Sequence, residues 1–325
     1  MSRLRLMGFL VGMLAIAPGV LFPPSTARTA GAVTVGKADA NASPILPVNV
    51  ADKLGLFKKH GLEVTIADFT GGSKLSQAMA AGSVDIGVGA GTEMAFVAKG
   101  APLLAVCDAM PGIPFIGIAV PWDSPVHNID QLKGKKIGIS SAGSLTDWLA
   151  HELSNHQGWG AEGVTPVAIG NGAAATLAAF RTNTIDADIS VTSNIFNWEE
   201  KQEGRLLIPV SSFVGNIAAG TIYATQHLIA SDPDALRAFL AAWIETIDYM
   251  GKHKAETVKI ESDVTGYSPS VIGKEYDITA AAFSKDCRFD AASLANLKRA
   301  FVDQKLVPAA PDMATLCTEA FLPQH

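Results

Sequence analysis

Residues 72–86 read Gly-Ser-Lys-Leu-Ser-Gln-Ala-Met-Ala-Ala-Gly-Ser-Val-Asp-Ile, and residues 172–187 read Gly-Ala-Ala-Ala-Thr-Leu-Ala-Ala-Phe-Arg-Thr-Asn-Thr-Ile-Asp-Ala. Each is a glycine ahead of a helix-forming run, then a tight turn, then a strand that opens on an apolar residue and an aspartate. The repetition predicts two lobes of the same architecture. Working outward, β-rich runs alternate with helical ones: Val33–Gly36, Leu62–Phe69, Val84–Val88, Leu103–Cys107 and Phe115–Val120, then Lys135–Ser140, Val164–Ile169 and Ile185–Val191. Strands separated by single helices and short connections argue for an α/β chain with mostly parallel sheets.

Composition agrees with a packed globular protein. The 325 residues are 48% hydrophobic and 17% charged, with mean hydropathy +0.25. Disordered and coiled-coil chains need fewer apolar or more charged residues. A net charge of −6 offers no basic face for nucleic acid. Three cysteines are too few for a disulfide scaffold.

The N-terminus carries its own message. Arg3 and Arg5 precede the uncharged apolar run Leu6–Phe22, which Pro23-Pro24 closes before small residues at Ser25-Thr-Ala27. Basic, apolar and small-residue segments in that order predict a secretory signal, residues 1–27, cleaved after Ala27. The mature protein is expected to be soluble. Its most apolar helix, Leu236–Met250, places Leu236, Phe239, Leu240, Trp243, Ile244, Ile247 and Met250 on one face, with Ser231 and Pro233 as its start signal.

Three motifs invite a chemical reading, and the bland one is preferred for each. Gly87-x-Gly89-x-Gly91-Thr92 follows a strand and opens a helix, as a dinucleotide fingerprint would. Its last position is Thr92, and nicotinamide cofactors are scarce outside the cell, so no cofactor is expected. His151 and His156 lie roughly 140° apart around a helix, too far for one zinc. Gly138-Ile-Ser140-Ser141-Ala-Gly143 is one residue too long for a nucleophile elbow. No metal site or catalytic constellation is assigned.

What these segments share is position. Gly71-Gly72-Ser73, Gly89-Ala90-Gly91-Thr92, Ser140-Ser141-Ala142-Gly143-Ser144 and Thr192-Ser193-Asn194 each follow a strand and begin a helix. In open α/β sheets ligands bind outside the carboxyl ends of strands. Helix N-termini there offer unpaired N–H groups and a partial positive charge of use to an anion. No Arg and only Lys74 falls near these loops, so an anionic ligand would be held by amides and hydroxyls.

Further residues carry a family resemblance. Ala51-Asp-Lys-Leu-Gly55-Leu-Phe57-Lys-Lys-His-Gly61-Leu-Glu-Val64, Phe69-Thr-Gly-Gly-Ser73 and Ala81-Gly-Ser-Val-Asp-Ile-Gly87 resemble periplasmic solute-binding proteins of the nitrate/sulfonate/taurine type, in the superfamily of the thiamine-pyrimidine synthases. Gly100-Ala-Pro102, Leu132-Lys-Gly-Lys-Lys-Ile-Gly138, Ser141–Asp147, Ile185-Asp-Ala187 and Asp232-Pro-Asp-Ala-Leu236 continue the match. The resemblance implies the type II periplasmic-binding fold, two doubly wound α/β lobes joined by two crossover strands near Val120-Pro121 and Val214–Gly220. Lobe 1 would be residues 33–120 plus 214–325, and lobe 2 residues 121–213. The resemblance also implies a ligand set: Ser43-Pro44, the four loops above, and Phe115 as an apolar wall.

That family captures a small ligand, here expected to be anionic, by hinge closure and hands it to a membrane permease and its ATPase. The resemblance thus implies a periplasmic, monomeric, non-catalytic protein. An enzyme on the same fold acting on a thiamine-pyrimidine-like substrate, or a ligand-presenting sensor, is the alternative. The cysteine-rich stretch of the eukaryotic synthases is absent, since Cys107, Cys287 and Cys317 are scattered. Cys287 and Cys317 both lie in the C-terminal helical part and are expected to pair after export, contributing roughly 3–4 kcal/mol. Cys107, in an apolar strand, is expected to be buried and free.

Overall fold

The computed structural model describes residues 31–303 and 305–323; the expected signal segment, residues 1–27, lies outside them. The chain begins with β1 (Gly31–Lys37), α1 (Pro47–Lys53), α2 (Leu56–Lys59), β2 (Leu62–Asp68), α3 (Gly72–Ala80), β3 (Ile86–Gly89), α4 (Met94–Ala98) and β4 (Leu103–Pro111). It continues through β5 (Ile116–Pro121), β6 (Lys136–Ile139), α5 (Leu145–His156), β7 (Thr165–Ala168), α6 (Ala173–Arg181), β8 (Ala187–Val191), α7 (Thr192–Glu200) and β9 (Gly204–Pro209). It ends with β10 (Ala218–Thr225), α8 (Gln226–Ser231), α9 (Pro233–Lys252), α10 (Lys254–Thr265), α11 (Pro269–Thr279) and α12 (Ala291–Asp303).

The strands form two five-stranded sheets, ordered β2-β1-β3-β10-β4 and β7-β6-β8-β5-β9. The two orders are the same pattern. In each, three parallel strands are followed by an antiparallel one that arrives from the other sheet: β10 between β3 and β4, and β5 between β8 and β9. The central strands β3, β8 and β10 are buried along their whole length, as strands covered on both faces must be.

The aspartates of the repeat explain themselves here. Asp85 accepts a hydrogen bond from the Thr34 N–H at 2.8 Å, and Asp186 accepts one from the Lys136 N–H at 2.9 Å. Each binds the backbone of the parallel strand beside it, in the middle of β1 and at the first residue of β6, and so pins the register. Their function is structural and is the same in both halves.

The structure moves the first crossing. Ile116–Pro121 pairs with β8 and β9, so the chain has already entered the second sheet by Ile116, ahead of the expected Val120-Pro121. The alternating apolar run gives no sign of which sheet a strand joins. The return lies between Pro209 and Ala218.

Among the C-terminal helices, α9 packs on α1 and α2 of the first half, whereas α11 packs on α7 of the second. On α9, Phe239 stacks on Phe57 of α2 at 5.4 Å between ring centres, and Trp243 stacks on Phe239. The N-cap of α9 is Asp232, which accepts from the Ala235 N–H, with Pro233 as first residue; the expected Ser231 instead ends α8. No helix among the described residues is long and apolar enough to cross a membrane.

The expected Cys287–Cys317 pairing is incorrect. Cys107 is bonded to Cys287, with Cα atoms 4.6 Å apart, and Cys317 is free. The reason lies at the outer edge of β4. The Asp108 N–H donates to the Cys287 carbonyl and the Ser284 N–H to the Ala109 carbonyl, which lays residues 284–287 along β4. Cys317 also reaches that edge, but opposite Ala105, two positions further along. Alkylation of the unfolded protein without reductant should therefore modify one thiol, Cys317, whereas three modified thiols by mass would refute the pairing. Replacing both Cys107 and Cys287 with Ser should cost about 2–5 kcal/mol in denaturant unfolding.

Candidate functional site

Strands β1, β3, β6 and β8 all end on the same side, and the segments that follow them enclose a cleft between the two sheets. Of the residues expected there, Pro44, Gly71, Gly72, Gly89, Ala90, Phe115, Ser140, Ser144 and Asn194 line it. The others are not part of its lining. Ser43 and Thr192 donate to Glu275, Ser193 donates to the Asn41 carbonyl, and Thr92 lies buried beside Glu93. Ser73 donates to the Ala142 carbonyl at 2.7 Å, which joins the two lobes directly. Gly91 packs against Ala218 and Leu297, Gly143 donates to Asp147, and Ser141 faces Gly71.

Two glycines are required by close approach. Gly71 has φ +122°, and a Cβ there would sit 2.5 Å from the Ser141 hydroxyl. A Cβ on Gly72 would fall 1.3 Å from Glu93 Oε1. The first turn of α3 thus leaves just enough room for a carboxylate.

That carboxylate is one of three that line the cleft, Asp39, Glu93 and Asp188, all buried and all missed by sequence reasoning. Glu93 reaches back one turn, and its Oε2 accepts from the Ala90 N–H at 2.9 Å and from the Thr92 hydroxyl. Asp39 accepts from the N–H groups of Asn41 and Ala42 at 2.6 and 3.0 Å. Asp188 accepts from the Thr176 hydroxyl at 3.2 Å. Burial pushes Glu93 and Asp188 up to about 7, and raises Asp39 as well, because the charged form loses its water.

Several of the N–H donors expected to hold an anion are engaged within the protein. Ala90 N–H is taken by Glu93, Gly143 N–H by Asp147, Asp147 N–H by the Ser144 hydroxyl and Ser140 N–H by Thr146. The capping pattern Ser144-x-x-Asp147 was visible in the sequence; the same spacing at Ala90-x-x-Glu93 lacks the N-cap hydroxyl and was not. Among the lining residues there is no Lys or Arg. Lys37, at the end of β1, turns to Asn49 and Asp68 at 2.7 and 3.0 Å.

The lobes meet around this cleft. Asn171 of the second half donates to the Ala38 carbonyl at 2.9 Å. Tyr267, between α10 and α11, donates to Asn194 at 2.5 Å and accepts from Asn41 at 3.2 Å. The fully buried Glu275 on α11 accepts from Ser43 on one side and Thr192 on the other. Phe115, Ile45, Leu145 and Ile189 supply apolar wall. His151 pairs with Asp147 and His156 packs at a tilt against Phe213, and neither histidine of α5 lines the cleft.

The two matched sheets and the cleft at their strand ends define a two-lobed protein of the periplasmic-binding fold. The chain belongs to the NMT1/THI5 like family, whose model matches residues 43–257. It is 26% identical over 268 residues, 78% of this chain and 75% of the other, to a 4-amino-5-hydroxymethyl-2-methylpyrimidine phosphate synthase of Saccharomyces cerevisiae. It superposes on the alkanesulfonate-binding protein SsuA of Xanthomonas axonopodis pv. citri with TM-score 0.76, at 21% identity and 89% and 98% coverage. The periplasmic nitrate-binding protein NrtA of Synechocystis gives TM-score 0.70 at 13% identity, covering 89% of this chain and 86% of that one.

Gly72→Ala should displace the Glu93 carboxylate and cost about 1–3 kcal/mol by thermal unfolding, while the same change at the open Gly172 should cost far less. Glu275 makes a second prediction. Burial holds it at about 7, above its ordinary 4.5, so the folded chain keeps a proton that the unfolded chain releases. Its contribution to stability is complete below pH 4.5 and is lost as pH rises through 7. Glu275→Gln should flatten the fall in melting temperature over that interval; an unaltered profile would contradict the assignment.

Proposed function

We propose that the chain is an exported solute-binding protein that captures a small organic ligand between its lobes and delivers it to the permease and ATPase of an ABC importer. The observation that carries this reading is that the cleft takes its walls from both sheets, so one small molecule would touch both lobes. A ligand that touches both stabilises the closed form only through greater affinity for it. The binding proteins with the same fold support the reading, and the basic, apolar, small-residue order of residues 1–27 supports a periplasmic location. The boundaries we propose put residues 31–111 and 218–323 in one lobe and 116–209 in the other, acting as a monomer. The ligand-contacting set we propose is the lining residues named above.

An anion fits this cleft poorly, against the expectation from its helix N-termini. The N–H groups of Ala90 and Gly143 are occupied, and three buried carboxylates line the space that a sulfonate or carboxylate would need. A second reading, catalysis on a pyrimidine, rests on the yeast relatives named as synthases.

A thermal-shift screen over amines, pyrimidines, carboxylates and sulfonates separates the two. A captured solute at 100 times its Kd should add about 2.7 kcal/mol of stability and be recovered chemically unchanged. Turnover of the bound compound would replace the transport reading with the enzymatic one.

A further inference from the structure

This inference rests on the reading of the cleft as a solute site. Glu93 is 3% exposed and lines the cleft, yet its hydrogen bonds, from Ala90 and Thr92, both go to Oε2. Oε1 lies over the Cα of Gly72, where only a glycine leaves room for it. Asp188 and Asp39 line the same space. A carboxylate taken out of water is costly unless donors or a cation meet it. No cationic side chain enters the cleft to offset it, since Lys37 is held by Asn49 and Asp68. The rest of the wall is apolar, from Ile45, Phe115, Leu145 and Ile189.

We infer that the cleft selects a small organic cation, an ammonium or amidinium group on an apolar body, and that Glu93 is its principal counter-charge. The N–H donors of the cationic group meet the Glu93 carboxylate, and the apolar body fills the remaining wall. Burial raises Glu93 and Asp188 to about 7, and a cation seated beside them restores their charged forms. Sulfonates, carboxylates and nitrate meet like charge instead.

Three probes of nearly one shape test this: benzamidine, benzamide and benzoate, measured by calorimetric titration against the protein purified free of small molecules. Benzamidine should bind, with benzamide about tenfold or more weaker, the scale of one charge-assisted hydrogen bond, and benzoate weaker still. Glu93→Gln should bring benzamidine down by a similar factor and leave benzamide nearly unchanged. A merely structural role for Glu93 would weaken both equally and would overturn its assignment. Asp188→Asn provides the same comparison if Glu93→Gln does not fold. Tighter binding of benzoate or taurine would overturn the cation inference and leave the solute-binding reading standing. Failure of benzamidine to bind at millimolar concentration would also overturn it, while solute capture is judged separately by the broader screen.

Discussion

The hydrogen bond from the Ala90 N–H to the buried Glu93 carboxylate sets the character of the cleft. The first N–H groups of a helix need acceptors, and a buried carboxylate needs donors. Here each requirement meets the other inside the chain. The same exchange recurs where Asp39 takes the N–H groups of Asn41 and Ala42, and where Asp147 takes that of Gly143. Loops that seem built to cradle an anion therefore carry an anion of their own. What they present inward is carboxylate oxygen, hydroxyl and apolar side chain.

The two halves are joined by a modest set of polar contacts around that cleft. Ser73 with Ala142, Asn171 with Ala38, and Tyr267 between Asn41 and Asn194 are hydrogen bonds of the ordinary kind. Each contributes on the order of 0.5–1.5 kcal/mol. That is a scale on which the differential affinity of a small ligand can decide between open and closed arrangements. Glu275 is the most enclosed of these contacts, tying Ser43 and Thr192 together through one carboxyl group. Glu261 on the neighbouring helix α10 is also buried, and its value rises to about 8 through desolvation and the proximity of Glu275. The joint between the lobes is thus made of groups whose charge is expensive to bury.

Much of this was legible in advance, and for identifiable reasons. Strand–helix alternation, the repeated glycine–helix–turn–aspartate unit and the cap at Ser144 are short-range patterns, and each matches an element of the fold. The cleft loops were legible because they combine glycine, serine and threonine at strand ends, and half of the residues so marked do line the space. Their partners were not. Glu93 reads as one more polar residue at a helix start, and Asp188 as one residue of a buried strand, until the sheets bring them to one place. Likewise Ile116–Pro121 looks the same whichever sheet it joins, and only pairing with β8 and β9 assigns it.

From the chain alone came the α/β class and the doubled architecture, because periodicity, capping and turn chemistry act between near neighbours. Which cysteine meets Cys107, where the chain changes sheets and what charge the cleft carries were decided only by tertiary structure. Each depends on residues far apart in sequence, such as Cys107 and Cys287, or Ser43, Thr192 and Glu275. The spacing of such residues along the chain says nothing of their distance in space. Burial then alters the protonation of the carboxyl groups once they have been brought together.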